Sequence, residues 1–387
     1  MTLQFEDSAL DPVHSKQGYY QVGTKLFDKK LNALIEASRT KLPVNWNFNQ
    51  QTFAQQAQRP RLGVSLLELY RQRAEQLRDK YDYLILAYSG GADSDNILKV
   101  FQNNRIHLDE VWCDWPNSLV EKSNYVISSS TRPENMPAEW FEVIKPALDQ
   151  LSVTNPEIHI HVSDAFVGQD LEDAEDSMTV ISVPTVYTSI KRYRYITKYL
   201  QQFADRGQSV AVITGMDKVN PARRGQQYGF RFVDNAAIFK SHAQGNEYRN
   251  IEYFYWTPDF PAIVTEQAHL VWDVLKQDPV GTQSMLNLNG VEWRERKKWF
   301  DHAIKKICYP YWDFNKIQVD KSGIFANYHF DRLTQHYRHE KFYQSWASCA
   351  INTVRQLDPK IAFNDQQSIK SDMTVFENFH PIGTLTW

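Results

Sequence analysis

The chain of 387 residues is 42% hydrophobic, 23% charged and 13% aromatic, a globular composition with apolar material for a large core. Lysine plus arginine number 43 against 46 aspartate plus glutamate, and the net charge of -3 gives no whole-chain attraction toward nucleic acid or a membrane surface. The 3 cysteines, Cys113, Cys308 and Cys349, stand far apart without a CxxC, which argues against a disulfide framework or a zinc ribbon.

The opening MTLQFEDSALDPVH lacks a basic flank followed by an apolar core, and no apolar run approaches bilayer length. The expectation is a protein of the cytoplasm with reduced thiols and no membrane partner. GYYQVGTKLF alternates like a hairpin, DKKLNALIEASRT has helical spacing, and LPVNWNF alternates again. These predict a small α+β module over residues 1–60, with polar QQTFAQQAQRP as a connector.

Ser65-Leu66-Leu67-Glu68 is a capping-box pattern, with Leu66, Tyr70, Ala74 and Leu77 on one helical face. YLILAY then reads as a buried strand, and Ile97, Leu98 and Phe101 form the stripe of the next helix. EVWCDW, EIHIHV and SVAVITG read as strands, while AEWFEVIKPALDQL and SIKRYRYITKYLQQFADRG read as helices. Strands alternating with helices predict an α/β fold with a parallel sheet flanked by helices, over residues 61–255. Beyond Trp256, residues 256–387 are expected to be mainly helical, on the spacing of PAIVTEQAHLVWDVLKQ, Val291 to Phe300 and Tyr328 to Arg355.

Between YLILAY and its helix stands Ser89-Gly90-Gly91-Ala92-Asp93-Ser94. Ligands of parallel α/β sheets bind outside the strand carboxyl ends. Glycines let the backbone turn and approach a ligand, and first-turn amides at the positive end of the helix dipole suit an anion. Ser89 and Ser94 add hydroxyls. Asp93 conflicts with a bare anion but suits a Mg²⁺ bridging carboxylate and phosphate. Asp95 and Asn96 read as helix-start residues. Neither GxxxxGK[ST] nor GxGxxG is present.

The stretch resembles the SGGxDS signature of the PP-loop, or N-type ATP pyrophosphatase, superfamily, whose members include the synthetase domains of asparagine synthetases, argininosuccinate and GMP synthetases and tRNA sulfurtransferases. The likeness extends to Asp114, in EVWCDWPN beside Trp112 and Trp115, and to Thr214-Gly215-Met216-Asp217, similar to a TGxxxDD element but degenerate at Lys218-Val219-Asn220. It implies a fold of the adenine nucleotide alpha-hydrolase-like (HUP) kind, ATP and Mg²⁺ as cofactors, and an ATP and pyrophosphate site of Ser89, Gly90, Gly91, Ala92, Asp93, Ser94, Asp114, Thr214, Gly215 and Asp217, with Asp93 and Asp217 on the metal. The overall arrangement also looks like uncharacterised PP-loop proteins of tailed bacteriophages, which would put it in the host cytoplasm and implies no substrate.

The implied reaction is an AMP- and pyrophosphate-forming adenylation of an oxygen on a small-molecule substrate, followed by displacement by an amine or ammonia. Cations should neutralise the phosphates: Lys218 and Arg223 are preferred, with Arg224 and the Lys191, Arg192, Arg194 cluster as further candidates. Sulfurtransferase and phosphoadenylylsulfate-reductase chemistry are disfavoured by the scattered cysteines, and a class II glutaminase by the start Met1-Thr2-Leu3. A sensor that holds ATP without turnover remains open on the degenerate TGMDKVN, as does a nucleic-acid base-modifying enzyme. The aromatic content is compatible with a homo-oligomer. His159 and His161 share a strand face but have no third ligand nearby, and His336 with His339 matches no zinc motif, so structural roles are expected. The acidic run Leu171 to Ser177 reads as a solvated loop, and IEYFYW as core or interface.

Overall fold

The computed structural model describes residues 18–27, 33, 36–37, 39–61, 63–114, 140–163, 199–216, 218–234, 251–287, 300, 302–315 and 379–385. The expected amino-terminal hairpin is β1 (Tyr19–Val22) and β2 (Lys25–Phe27), and β3 (Val44–Asn47) pairs antiparallel on the other side of β1. The supposed connector QQTFAQQAQRP is instead a helix, α1 (Gln50–Ala57). Its buried face carries Phe53 and Ala57 with the polar Gln56, and the Phe53 ring lies 5.8 Å from Phe48 and 4.5 Å from Phe232.

The helix announced by the capping box is α2 (Leu66–Lys80), where the Ser65 side chain accepts from the Glu68 amide at 3.2 Å. There follow β4 (Tyr83–Ala87), α3 (Ala92–Asn103), β5 (Glu110–Asp114), α4 (Lys145–Thr154), β6 (His159–Ser163) and β7 (Val210–Thr214). AEWFEVIKPALDQL is not one continuous α-helix. A π-helical turn spans Trp140–Ile144 and α4 begins after it, with Pro146 in its first turn, where a missing amide costs no hydrogen bond. The helical segment 199–205 ends where Gly207 adopts φ of 70°, with the Gln208 amide on the Phe203 carbonyl at 2.9 Å.

Beyond β7 the chain forms an antiparallel hairpin, β8 (Asn220–Arg224) and β9 (Gln227–Arg231), and then β10 (Ile251–Tyr253). The central layer is a five-stranded parallel sheet in the order β10-β7-β4-β5-β6. Its central strands are covered on both faces, and every residue of VAVIT in β7 is buried, whereas the edge strand β6 leaves His159 and Val162 exposed. Leu84, Leu86, Val111 and Ile213 join the core that holds α2 and α3, while Ile85, Trp112, Val210 and Val212 pack on Leu200 and Phe203. The fold is therefore α/β, a parallel sheet flanked by helices. From β4 the chain moves out to β5 and β6, returns to β7 on the opposite side of β4, and continues to β10. Strand order thus reverses between β4 and β7, and the crevice outside their carboxyl ends is where such sheets bind ligands.

In the carboxyl-terminal region the described helices are α5 (Ala262–Leu275), which carries PAIVTEQAHLVWDVLKQ, α6 (Pro279–Asn287) and one over 302–308, while residues 291–299 and Tyr328 to Arg355 lie outside the described residues. A strand that the pattern did not announce, β11 (His380–Thr384), pairs antiparallel with β9 in a sheet ordered β11-β9-β8. Its sequence HPIGT lacks alternation because β11 is an edge strand, which tolerates Pro381, and its register shifts between Pro381 and Gly383. One apolar core runs from Tyr20, Trp46 and Phe53 through Leu69 and Leu86 to Trp256, Val264 and Trp312. IEYFYW supplies core, as expected: Phe254, Tyr255 and Trp256 are fully buried.

A buried ion network ties α2 to β10. Arg73, fully buried, donates from Nη2 to Glu252 Oε2 and to the Tyr253 carbonyl, both at 2.9 Å. Lys80 Nζ and the Tyr81 hydroxyl reach Glu252 Oε1 at 2.6 and 2.5 Å. Burial pushes the Glu252 carboxyl upward, but the Arg73 charge and the bonds from Lys80, Tyr81 and Arg73 outweigh it and leave it below the ordinary 4.5. The unfolded chain then takes up this proton more readily than the folded one. The contribution to stability is complete above about pH 4.5 and is lost as pH falls toward the folded value. Glu252→Gln strands Arg73 in the core and should cost about 3–5 kcal/mol in urea unfolding at neutral pH. Its stability should also decline less steeply in acid than that of the wild type, and an unchanged acid limb would contradict the assignment.

Candidate functional site

β4 delivers the chain to Ser89, and α3 opens at Ala92. Gly90 is required twice over: its φ of 71° disfavours any side chain, and a Cβ there would lie 2.5 Å from Ile144 Cγ1 in the π-helical turn. Gly91 is the N-cap with extended φ and ψ of -77° and 166°, and it offers no capping side chain. The first-turn amides of α3 therefore point into the loop region at the positive end of the helix dipole.

The two serines divide. Ser94 is buried, its hydroxyl donating to the Gly91 carbonyl at 3.3 Å and accepting from the Ser89 amide at 3.2 Å, so it closes the loop from inside. Ser89 is exposed, with its hydroxyl 3.3 Å from that of Ser94.

The second element arrives on the adjacent strand. Pairing of Leu86 with Ile213 sets the ends of β4 and β7 side by side, and Gly215 follows immediately. A Cβ on Gly215 would lie 2.7 Å from Asp93 Oδ2, and one on Gly91 2.8 Å from Asp93 Oδ1. The Asp93 carboxylate thus sits between two glycine backbones, one from each motif. The Thr214 hydroxyl, one residue before Gly215 in the chain and on a residue only 5% exposed, has no hydrogen-bond partner among the described residues. A buried hydroxyl in that state calls for an explanation.

Neither a protein-family model nor a curated protein matches the chain. The remaining expectations are placed by geometry alone. Asp114 ends β5, next to β4, but its side chain and the whole of Asp217 lie outside the described residues, as do Trp115, the Lys191, Arg192 and Arg194 cluster, the run Leu171 to Ser177, His336 and His339. Lys218 is half-buried just beyond the second motif. Arg223, preferred as a phosphate-neutralising cation, is on β8, and its Nε donates to the Gly225 carbonyl across the hairpin turn at 2.7 Å. The hairpin forms because Tyr228 and Phe230 on β9 find aromatic partners in Trp272 and His380.

Asp95 and Asn96 lie at the start of α3, whose N-cap is Gly91, and their side chains tie it to its surroundings. Asp95 is buried, accepts from the Tyr88 hydroxyl at 3.0 Å and pairs with Lys99 at 2.8 Å. Asn96 Nδ2 donates to the Tyr255 hydroxyl at 3.0 Å, and that hydroxyl donates to the Asp93 carbonyl at 2.9 Å. Burial holds the Tyr255 phenol well above the usual tyrosine pKa, so it stays a donor. Tyr255 and Ile144 are contributions that the sequence did not disclose, since each looks like an ordinary apolar core position in its own element.

His159 and His161 take a structural role. His161 Nδ1 lies 3.1 Å and His159 Nδ1 3.4 Å from the carboxylate of Glu110, which also accepts from Tyr199 at 2.6 Å and Tyr83 at 3.1 Å. Among the described residues no group of three His, Cys, Asp or Glu could hold a metal, and no helix is long and apolar enough to cross a membrane.

Gly90→Ala should cost about 2–5 kcal/mol, from the left-handed backbone together with overpacking on Ile144. Adding Ile144→Ala removes the collision, so the double variant should lose less than the two single losses combined in denaturant unfolding. Simple additivity would show that Ile144 does not constrain the loop.

Proposed function

We propose that the chain is an ATP pyrophosphatase of the PP-loop, HUP-like kind, in which a substrate oxygen attacks the α-phosphate of ATP and expels pyrophosphate, after which an amine or ammonia displaces AMP from the adenylated substrate. The observation that carries this reading is the convergence of the two motifs at the switch point, with the Asp93 carboxylate held between Gly91 and Gly215. The motif-bearing loops follow adjacent parallel strands, as a site shared between them requires.

In this reading the uncapped first-turn amides of α3, with the Ser89 hydroxyl, hold the leaving pyrophosphate. Ser94 keeps the loop closed, and Gly90 and Gly91 let phosphate oxygens come against the backbone. The Thr214 hydroxyl gains in bound nucleotide the partner it lacks among the described residues. The residues fit a Mg²⁺ shared with phosphates better than an all-protein cage: Asp93 offers one carboxylate, and a small ion that keeps several waters is held by one or two. When bound, that ion supplies neutralisation of phosphate charge. Lys218 adds charge from the second loop. Catalysis is then mostly alignment of the attacking oxygen and stabilisation of charge on the leaving group.

The test is incubation with Mg²⁺ and ATP labelled at the α-phosphate, alone and with metabolite or nucleic-acid pools, followed by separation of AMP from ADP. AMP and pyrophosphate are expected, and Asp93→Ala should lower the rate by about 10²–10³-fold. Gly215→Ala, which drives a methyl group into the Asp93 carboxylate, should lose activity in parallel. ADP as product would sink the reading, and tight ATP binding without turnover in any pool would make the protein a nucleotide sensor.

A further inference from the structure

Several buried polar groups that the proposed chemistry does not use connect the carboxyl-terminal region to the first turn of α3. Tyr255 is fully buried, and its hydroxyl is shared between the Asp93 carbonyl and Asn96 Nδ2. The carbonyl oxygen of a residue in a helix gives one lone pair to the amide four residues on, so the phenol occupies the second. Asn96 turns its other end outward: Oδ1 accepts from the Tyr311 amide at 3.1 Å, and Lys99 Nζ donates to the Tyr311 carbonyl at 2.8 Å. The turn after the helix 302–308 therefore grips α3 at positions 96 and 99, and through Tyr255 at 93.

A parallel set of bonds serves the second motif. The Val219 amide donates to Gln267 Oε1 at 3.3 Å, Gln267 Nε2 donates to the Tyr70 hydroxyl at 2.8 Å, and that hydroxyl donates to the Cys308 carbonyl at 2.5 Å. The Tyr70 and Tyr255 rings meet edge to face at 5.4 Å. Both motif loops are thus anchored on residues 308–311.

We propose that Tyr255, oriented by Asn96, is a positioning residue for Asp93, through which the segment 308–311 sets the carboxylate against Gly215. The proposal rests on the adenylation reading for its effect on turnover, but its structural effect can be read without nucleotide. Tyr20 provides the control, because Tyr20→Phe removes a similarly buried hydroxyl, bonded to Asp234, that serves neither motif loop. Hydrogen exchange on the full chain should show the amides of residues 89–96 exchanging about tenfold faster in Tyr255→Phe and unchanged in Tyr20→Phe, with similar losses in Tm. In AMP formation, Tyr255→Phe should lower kcat by about tenfold or more, as expected for a misplaced catalytic group, and Tyr20→Phe should leave it within about twofold. Equal exchange in the two variants, or a kcat loss that follows Tm in both, overturns the proposal. Selective exchange in a protein that forms no AMP from ATP keeps the positioning role and removes the adenylation reading instead. Asn96→Ser breaks the same link from the other side and gives the comparison if Tyr255→Phe folds poorly.

Discussion

The contact on which the candidate site depends is the packing of a carboxylate against a bare backbone, Asp93 on Gly215. Neighbouring strands lie about 4.8 Å apart, so loops leaving the same end of two of them are already close. A single Cβ on the second loop is enough to forbid the arrangement. The glycine at 215 is therefore fixed by a residue more than a hundred positions earlier, and the register of β4 with β7 is what holds the two together.

The two ends of the parallel sheet are built from different materials. At the amino end, acids staple one strand entrance to the next: Asp82 accepts from the Ser209 amide and hydroxyl, Asp109 takes the Leu84 amide and Arg78, and Glu110 gathers two tyrosines and two histidines. At the carboxyl end, the Asp93 carboxylate at the switch point is surrounded by small or hydroxylated positions, Ser89, Gly90, Gly91, Thr214 and Gly215. Charge compensation rigidifies one edge, and the other keeps backbone and hydroxyl groups for a ligand. This division also explains why a near-neutral chain can hold so many ionised groups in or near its interior, since Arg73, Glu110 and Glu252 each have opposite or polar partners within bonding distance.

What could be read in the sequence follows from which forces are local. Doubly buried strands such as YLILA and VAVIT must be apolar without interruption, and a capped helix advertises its first turn, so the α/β layer and its glycine-rich loop were legible. α1 was not, because one phenylalanine among glutamines makes a helix only when Phe48 and Phe232 wait for it. β8, NPARR, carries no strand pattern of its own because its partner β9 supplies the reason for it to be extended. β11 was hidden by the proline and glycine that an edge position permits. In the site itself, residue types revealed Asp93 and the glycines, but the direction of the Tyr255 hydroxyl and the contact of Ile144 with Gly90 are properties of packing alone.

The sheet ordered β11-β9-β8 draws together distant parts of the chain, and the Tyr20 hydroxyl reaches Asp234 across 214 residues. Such contacts return free energy only after long loops have closed. A nascent chain can assemble β8 with β9 early, but the outer edge of β9 stays open until residues 380–384 have been synthesised. Through that interval the unpaired edge is a template for other chains as well as for its own. The pairing of β11 is thus a late-acting guard against aggregation, and growth conditions that slow or interrupt translation between residues 231 and 380 bear directly on the yield of folded protein.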